Sequence, residues 1–428
     1  MLQAIKVAAP AVDDRAELEL GLARIRELTD VAALLTSTFD RDQILSTLMD
    51  AALHMAGAEV GCLWLEAETP HARVAWGLEG DVLEQLRLQG GETVPECVTR
   101  TGEMVWSPDC LHDPRFQSVP QGVSLESLVA VPLRHKGHAL GALVIANLAY
   151  EGLDAAAADS LGALAGLATV AIENARLHQV DLEKQALERE LGIARQVQMA
   201  LLPGREPEGT GIRWATAYFP MGKVGGDYFD FVRGPGGAAG VVVADVSDKG
   251  VPAALFMVAT RSLVRREAAL HSDPAGAVRG VNLALCEDTE RYASVFVTLF
   301  YGLYEAATRT FRYANAGHCP ALWLPREGEP AWLTARGGVL GQFPEMTYVA
   351  GEVTLAPDDL LVFYTDGVTE AHGPDDSLFG MERLLATVRA ARGLPVKELA
   401  ARIVEEVRLY AGPGGVSDDL TVLVGRAE

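Results

Sequence analysis

The chain has 428 residues, enough for two or three domains at roughly 100–200 residues each. Hydrophobic residues make up 49% and charged residues 22%, a globular profile that excludes a disordered chain. A formal net charge of −22 argues against nucleic-acid partners, because phosphate backbones repel such a surface.

Five cysteines, odd in number, widely spaced and without a CxxC pair, suggest neither a disulfide framework nor a zinc site. A reducing cytoplasm fits. Met1–Pro10 lacks the charged-then-apolar pattern of a signal peptide. No stretch reaches the ~18 uninterrupted apolar residues of a membrane span, so no membrane insertion is expected. Ala155–Ala171 is apolar-rich but interrupted by Asp159, Ser160 and glycines, and reads as a buried helix.

In chain order, residues 1–24 form a leader. A helical pattern follows from about Leu22 to Met55, with Leu28, Val31, Leu34 and Leu35 on one face, a turn at Asp40 and Asp42, and a second stripe at Ile44, Leu45, Leu48 and Ala52. Strands are expected at Val60–Leu65, Arg73–Trp76, Val105–Ser107, Ser127–Arg134 and Ala139–Ala146, the last two joined by a His135-Lys136-Gly137-His138 turn. A helix from about Asp154 to Arg176 closes this first α+β unit.

From Ile172 to Leu202 the pattern is one long helix, spanning roughly 45 Å at ~1.5 Å per residue. Val180, Leu187, Ala194 and Leu201 recur every seventh residue; Leu177 and Leu191 fall on the companion seam, which Lys184 and Gln198 interrupt. A homodimeric coiled coil is expected, with a single helix packed on its own chain as the alternative. Pro203-Gly204 ends it. Beyond lie short strands, from Arg213–Phe219 to Leu420–Val424, with helices at about Pro252–Ala269, Ala275–Arg291, Met381–Ala391 and Val396–Ala411. Two sheets flanked by helices are expected.

Four acidic motifs sit at ends of these apolar strands: Gly225-Gly226-Asp227, Ala244-Asp245-Val246-Ser247-Asp248, Tyr364-Thr365-Asp366-Gly367 and Ser417-Asp418-Asp419-Leu420-Thr421. A carboxylate at a strand end is costly unless solvated, paired or bound to a cation. Adjacent glycines let the backbone turn sharply and approach an ion. Oxygen-only donors favour hard cations such as Mg²⁺ or Mn²⁺. One Asp-Gly alone reads as a turn; four such motifs in one domain do not.

With Asn315-Ala316-Gly317-His318-Cys319-Pro320 between them, these motifs resemble the SpoIIE-type branch of the metal-dependent PPM protein phosphatases, over about residues 200–428. The resemblance implies a C-terminal α/β/β/α sandwich with two Mn²⁺ or Mg²⁺ ions at one end. Asp227 and Asp245 would lie between both ions as the catalytic pair, the Val246 carbonyl would assist one ion, and Asp366 and Asp418 would complete the other. Asp419 takes a neighbouring place behind the ligands. It further implies hydrolysis of phosphoserine or phosphothreonine by water, with no cysteine nucleophile, and a phosphorylated STAS-type protein of bacterial partner switching as substrate.

Asp248 stands where the family has Gly, either as a neutral loop change or as an extra acid near the ions. His318 is either a general acid for the leaving hydroxyl or a histidine that fixes a loop.

Residues 25–178 resemble a GAF sensor domain through helix Asp42–Met55, strand Gly61–Leu65, the Asp-Pro-Arg-Phe run at 113–116, and the strands at 127–133 and 141–146. This implies an antiparallel sheet, a helical layer and a pocket for an unidentified small molecule. Cyclic GMP is disfavoured, because Leu148 follows Asn147 and Leu153 takes the place of the family's Phe. Cys97 and Cys110 are either inert or a chromophore or redox site. Trp64, Trp76 and Trp106 are expected in the core. Residues 179–203 then form the linker and 204–428 the phosphatase domain. The rival readings are a catalytically weak phosphoprotein-binding scaffold, a dinuclear phosphodiesterase or nucleotide hydrolase, which would be expected to use histidine ligands, and a pure sensor-scaffold dimer.

Overall fold

The structure, a computed structural model, describes residues 12–65, 72–77, 86–118, 125–147, 155–289, 295–412, 415–416 and 418–428. Residues 1–11 of the expected leader, Leu148, Leu153, Asp154, Arg291 and Ser417 lie outside them. The chain divides into two compact units, Met1–Ala186 and Leu187–Glu428.

In the first unit, helices α1 (Val12–Thr36) and α2 (Arg41–Ala56) are separated by a turn at which Asp40 caps α2, its side chain accepting from the Gln43 amide. Gly57, left-handed at φ 57°, ends α2. Strands β1 (Val60–Leu65) and β2 (Ala72–Trp76) follow, then the short β3 (Arg87–Leu88) and helix α3 (Val94–Thr101). Next come β4 (Val105–Ser107), β5 (Phe116–Ser118), β6 (Ser127–His135) and β7 (His138–Asn147). The five-stranded sheet has the order β2-β1-β7-β6-β4, antiparallel throughout; β3 and β5 pair separately.

Both faces of this sheet are covered, and the two-residue period of a strand distributes its side chains between them. Leu63, Val129, Val131, Leu143 and Ile145 join the core beneath α1 and α2. Cys62, Leu128, Ala130, Ala142 and Val144 join a second core with Val94 and Val98 of α3. Trp76 and Trp106 lie at the margin of the first core, and Trp64 is half-buried. The β6–β7 turn uses positive φ at Lys136 (48°) and Gly137 (90°), as a two-residue hairpin requires.

Helix α4 runs unbroken over Ala155–Leu201, so the expected closing helix and the expected long helix are one element. Nothing in the sequence between Asp159 and Leu201 stops it: no proline intervenes, and its glycines cost helix stability without breaking it. By length and mean hydropathy it is the one candidate span among the described residues, yet half of its most apolar stretch is buried. Leu161, Leu164, Ala165, Ala168 and Ile172 go into the first core.

The second unit contains two five-stranded antiparallel sheets. One has the order β15-β12-β11-β10-β9, from β9 (Tyr228–Arg233), β10 (Ala239–Val246), β11 (Val297–Glu305), β12 (Thr310–Ala316) and β15 (Gly351–Thr354). The other has the order β14-β13-β16-β17-β8, from β8 (Ile212–Phe219), β13 (Ala321–Leu324), β14 (Ala331–Leu333), β16 (Leu360–Tyr364) and β17 (Leu420–Ala427). Helices α5 (Val251–Leu270) and α6 (Pro274–Thr289) flank the first sheet; α8 (Gly380–Ala390) and α9 (Val396–Ala411) flank the second, and the one-turn α7 (Asp366–Thr369) follows β16.

Alternation again sorts the side chains. Leu361, Phe363 and Leu423 enter the core shared by both sheets, while Leu360, Val362, Val422 and Val424 face α8 and α9. The result is the expected α/β/β/α sandwich in an α+β chain.

Candidate metal centre

The strand registers gather the acids. Tyr228 of β9 pairs with Ala244 of β10, so Asp227 and Asp245 are the next residues out at one edge. In the other sheet Tyr364 pairs with Val422, which sets Thr365-Asp366 beside Asp418 to Thr421. The Thr365 amide donates to the Thr421 carbonyl at 3.2 Å, and the Thr421 amide to Thr365 Oγ1 at 3.2 Å.

Asp227 is 2% exposed. Its Oδ2 accepts from Thr365 Oγ1 at 2.8 Å and from Thr421 Oγ1. Burial, followed by the Asp245 charge, pushes its carboxyl well above the usual range. Asp245 is raised first by burial and then by the charges of Asp366 and Asp418. Asp366 is raised by burial and by the charges of Glu370 and Asp418. Each of these acids thus lies within the field of another, the condition that a bound cation relieves.

Asp419 ties the loop before Asp227. Its Oδ1 accepts from the Met221 amide at 2.8 Å and its Oδ2 from the Gly226 amide at 3.1 Å. The two glycines here are closely approached. A Cβ on Gly225 would lie 2.4 Å from Asp419 Oδ2, and one on Gly226 would lie 3.0 Å from the Val246 carbonyl oxygen. That places the Val246 carbonyl against the same loop. Lys249 Nζ reaches Asp418 Oδ2 at 3.0 Å, with its side chain 69% exposed.

Among the described residues, no three His, Cys, Asp or Glu side chains form a ready cage around one cation. Mg²⁺-type sites need no such cage, since they bind through one or two carboxylates and keep several waters. The donors here are all oxygen, mutually repulsive and partly desolvated. Asp227, Asp245, Asp366, Asp418 and the Val246 carbonyl therefore fit hard divalent cations. A cavity of about 510 Å³ adjoins them, lined by Leu191, Met221, Lys223, Asp248, Lys249 and Val251 among others.

Asp230, which the sequence assigns no ligand role, is fully buried and accepts from Arg265 Nε and Nη2 at 2.6 and 2.9 Å and from the Tyr228 hydroxyl at 2.9 Å. It fastens α5 to β9. His318 is buried, and desolvation holds its imidazole down to about 4. It therefore carries no proton at neutral pH beyond that of the neutral ring. Its Nδ1 meets Thr298 Oγ1 at 2.8 Å, and its backbone amide donates to Asn315 Oδ1 at 2.7 Å. Of the two roles considered, the geometry supports the loop-fixing one. Asp248 has φ 81°, and its Oδ1 accepts from the Lys249 amide at 2.8 Å. In the first unit, burial pushes the Cys110 thiol up to about 11, the environment of an inert cysteine.

Sequence reasoning passed over the hydroxyls of Thr365 and Thr421. Their signal was present: each lies within an acidic motif. It also passed over Gln198 of α4, which is 5% exposed and bonded to Gly225.

A two-sheet sandwich with helices on both outer faces and acids converging at one edge is the PP2C class of fold. The SiaA-PP2C domain of Pseudomonas aeruginosa superposes with a TM-score of 0.51 at 24% identity, covering 57% of this chain and 99% of that one. Residues 235–428 match the family "Stage II sporulation protein E (SpoIIE)", and residues 39–173 match "GAF domain". The chain therefore carries a SpoIIE-family PP2C domain behind a GAF domain. Asp245, Asp366 and Asp418 fall inside the first match; Asp227 precedes it.

Among curated relatives, Protein IcfG of Synechocystis is 31% identical over 261 residues, 55% of this chain and 41% of that protein. Phosphoserine phosphatase RsbU of Bacillus subtilis is 30% identical over 190 residues, 44% of this chain and 55% of that protein. The chain thus spans about half the length of the curated relatives it matches.

Proposed function

We propose that this protein is a phosphoserine/phosphothreonine protein phosphatase that depends on two Mn²⁺ or Mg²⁺ ions and is regulated by its GAF domain. The observation that supports the reading is that the strand registers set Asp227 beside Asp245 and Asp366 beside Asp418, with the Thr365 and Thr421 hydroxyls both bonded to Asp227. The relationship to RsbU, a phosphoserine phosphatase, supports the substrate class. A STAS-type anti-sigma-factor antagonist in a bacterial partner-switching pathway is the substrate we favour.

Bound at these acids, the ions would supply Lewis acidity, activating water and neutralising phosphoryl charge. The chain's own groups do the rest. Thr365 and Thr421 fix the orientation of Asp227, so its carboxylate needs no reorganisation. Asp419 holds the Gly225-Gly226 loop against the Val246 carbonyl. Lys249, at the rim, offers a positive charge that draws a phosphorylated side chain to an otherwise acidic cleft.

Residues 25–178 would act as the sensor, with a small-molecule ligand of its own, 179–203 as the helical linker and 204–428 as the phosphatase, in a cytoplasmic homodimer. The test is hydrolysis of p-nitrophenyl phosphate and of candidate phospho-STAS proteins across a Mn²⁺ titration. Asp227→Asn should abolish Mn²⁺-dependent turnover, by at least about 10³-fold, with an unchanged circular dichroism spectrum. Turnover close to that of the unaltered protein would sink the scheme. A phospho-STAS protein left intact by an enzyme that cleaves the small ester would redirect the substrate alone.

A further inference from the structure

We propose that Lys223 is a specificity-determining residue, whose ammonium selects phosphorylated protein segments that carry an acidic side chain next to the phosphoserine. Lys223 takes this role only if the acids form the phosphatase centre proposed above. The cavity of about 510 Å³ beside them is lined by four carboxylates, Asp245, Asp248, Asp418 and Asp419, and by two ammonium groups, Lys223 and Lys249. Most of these charges are already engaged. Asp419 accepts from the Met221 and Gly226 amides, Asp248 accepts from the Lys249 amide, and Lys249 Nζ reaches Asp418. Asp245 and Asp418 would face the ions. Lys223 makes no ion pair with any described residue. Among the described residues of the lining, it is the cation left over for a ligand.

The loop presents that charge from a fixed backbone. One carboxylate holds both of its ends, Asp419 Oδ1 accepting from the Met221 amide at 2.8 Å and Oδ2 from the Gly226 amide at 3.1 Å. Between them Val224 is buried. A Cβ on Gly222 would lie 2.8 Å from the Val224 carbonyl oxygen, so the chain folds tightly around Lys223. Only the four-carbon stem of the lysine stays free to move. An ammonium on such a stem is a mobile point charge rather than a rigid fork. It suits a carboxylate on a neighbouring residue of the substrate, whose place varies from one segment to the next.

The two lysines thereby divide the substrate. Lys249, tied to Asp418, stands where the phosphoryl group would approach, and Lys223, bonded to none of the described acids, is left for what flanks it. Met221 and Val251, both exposed, line the same cavity. Such apolar surface gives the carbon atoms of a protein segment something to bury, which a free phosphate ester lacks. In a chain of net charge −22 an acidic partner is repelled at long range. Salt screens that distant field, and at close quarters a single well-placed cation decides which segment is accepted.

The experiment uses the full chain at saturating Mn²⁺ and two phosphoserine peptides, identical except that both residues flanking the phosphoserine are Glu in one and Gln in the other. Each peptide's inhibition constant is measured against p-nitrophenyl phosphate turnover at physiological salt. The ratio of the two constants is the readout, and a change in ester turnover alone cancels in it. The unaltered protein should favour the Glu peptide by at least about threefold. That preference should fade at about 1 M NaCl. Lys223→Glu should reverse the ratio, and Lys223→Arg should keep it. Lys223→Gln should bring it near one, and it stands in if the glutamate variant fails to fold. A purely structural lysine would alter stability and leave the ratio alone. The same ratio in the unaltered protein and in Lys223→Glu, or no preference for the Glu peptide in the unaltered protein, would overturn the proposal. An unaltered protein that does not hydrolyse the ester would instead defeat the phosphatase reading, with fluorescence anisotropy of the same two peptides, labelled, still judging the charge selection.

Discussion

Asp248 occupies a backbone conformation, φ 81°, that costs most L-residues about 1–2 kcal/mol and Asp somewhat less. Glycine there would shed that strain but add freedom to the unfolded chain, about 0.4–1 kcal/mol the other way. Asp248→Gly should accordingly change unfolding free energy by no more than about 0.5 kcal/mol, measured by urea denaturation, and leave Mn²⁺ affinity unchanged. A marked loss of Mn²⁺ affinity would instead make Asp248 a working acid of the centre. The acids themselves were legible because charge at the end of an apolar strand is conspicuous. The hydroxyls of Thr365 and Thr421 were not, since threonine is ordinary in strands and only the register shows both converging on Asp227. Gln198 was misleading for the opposite reason. Its polarity marked it as a flaw in a seam, whereas its partner lies 27 residues away in the chain.

Helix α4 shows the same limits at the scale of an element. Periodicity identified its apolar positions, yet no sequence signal marked a boundary near residue 176, and there is none. Helix α3 was passed over although Thr93 and Glu96 form a capping box ahead of it; its eight residues are too few for a periodic pattern. On α4, Leu177, Val180 and Leu187 are 52%, 50% and 57% exposed, an apolar seam that a second copy of the chain would cover. Burying one such leucine is worth about 1.5–3 kcal/mol, so Leu187→Glu should weaken self-association by at least about tenfold in analytical ultracentrifugation. A species that is monomeric before the substitution would remove the coiled coil from the proposal.

At the scale of the whole molecule, the order of α+β unit, long helix and sandwich was readable because each part has its own hydrophobic period and its own punctuation. What joins the parts functionally was not, because it resides in contacts rather than in composition. If the GAF domain governs the phosphatase through α4, removing residues 1–170 should change basal Mn²⁺-dependent turnover by about threefold or more, in either direction. Identical turnover and identical response to signals in the shortened and full chains would show that the two units act independently.

The Lys249–Asp418 contact also matters at this scale. A tethered ammonium beside a carboxylate is a resident counter-charge. If Asp418 takes up a cation, as proposed, that cation would replace one positive charge with another, and the lysine would turn to solvent, where most of its side chain already lies.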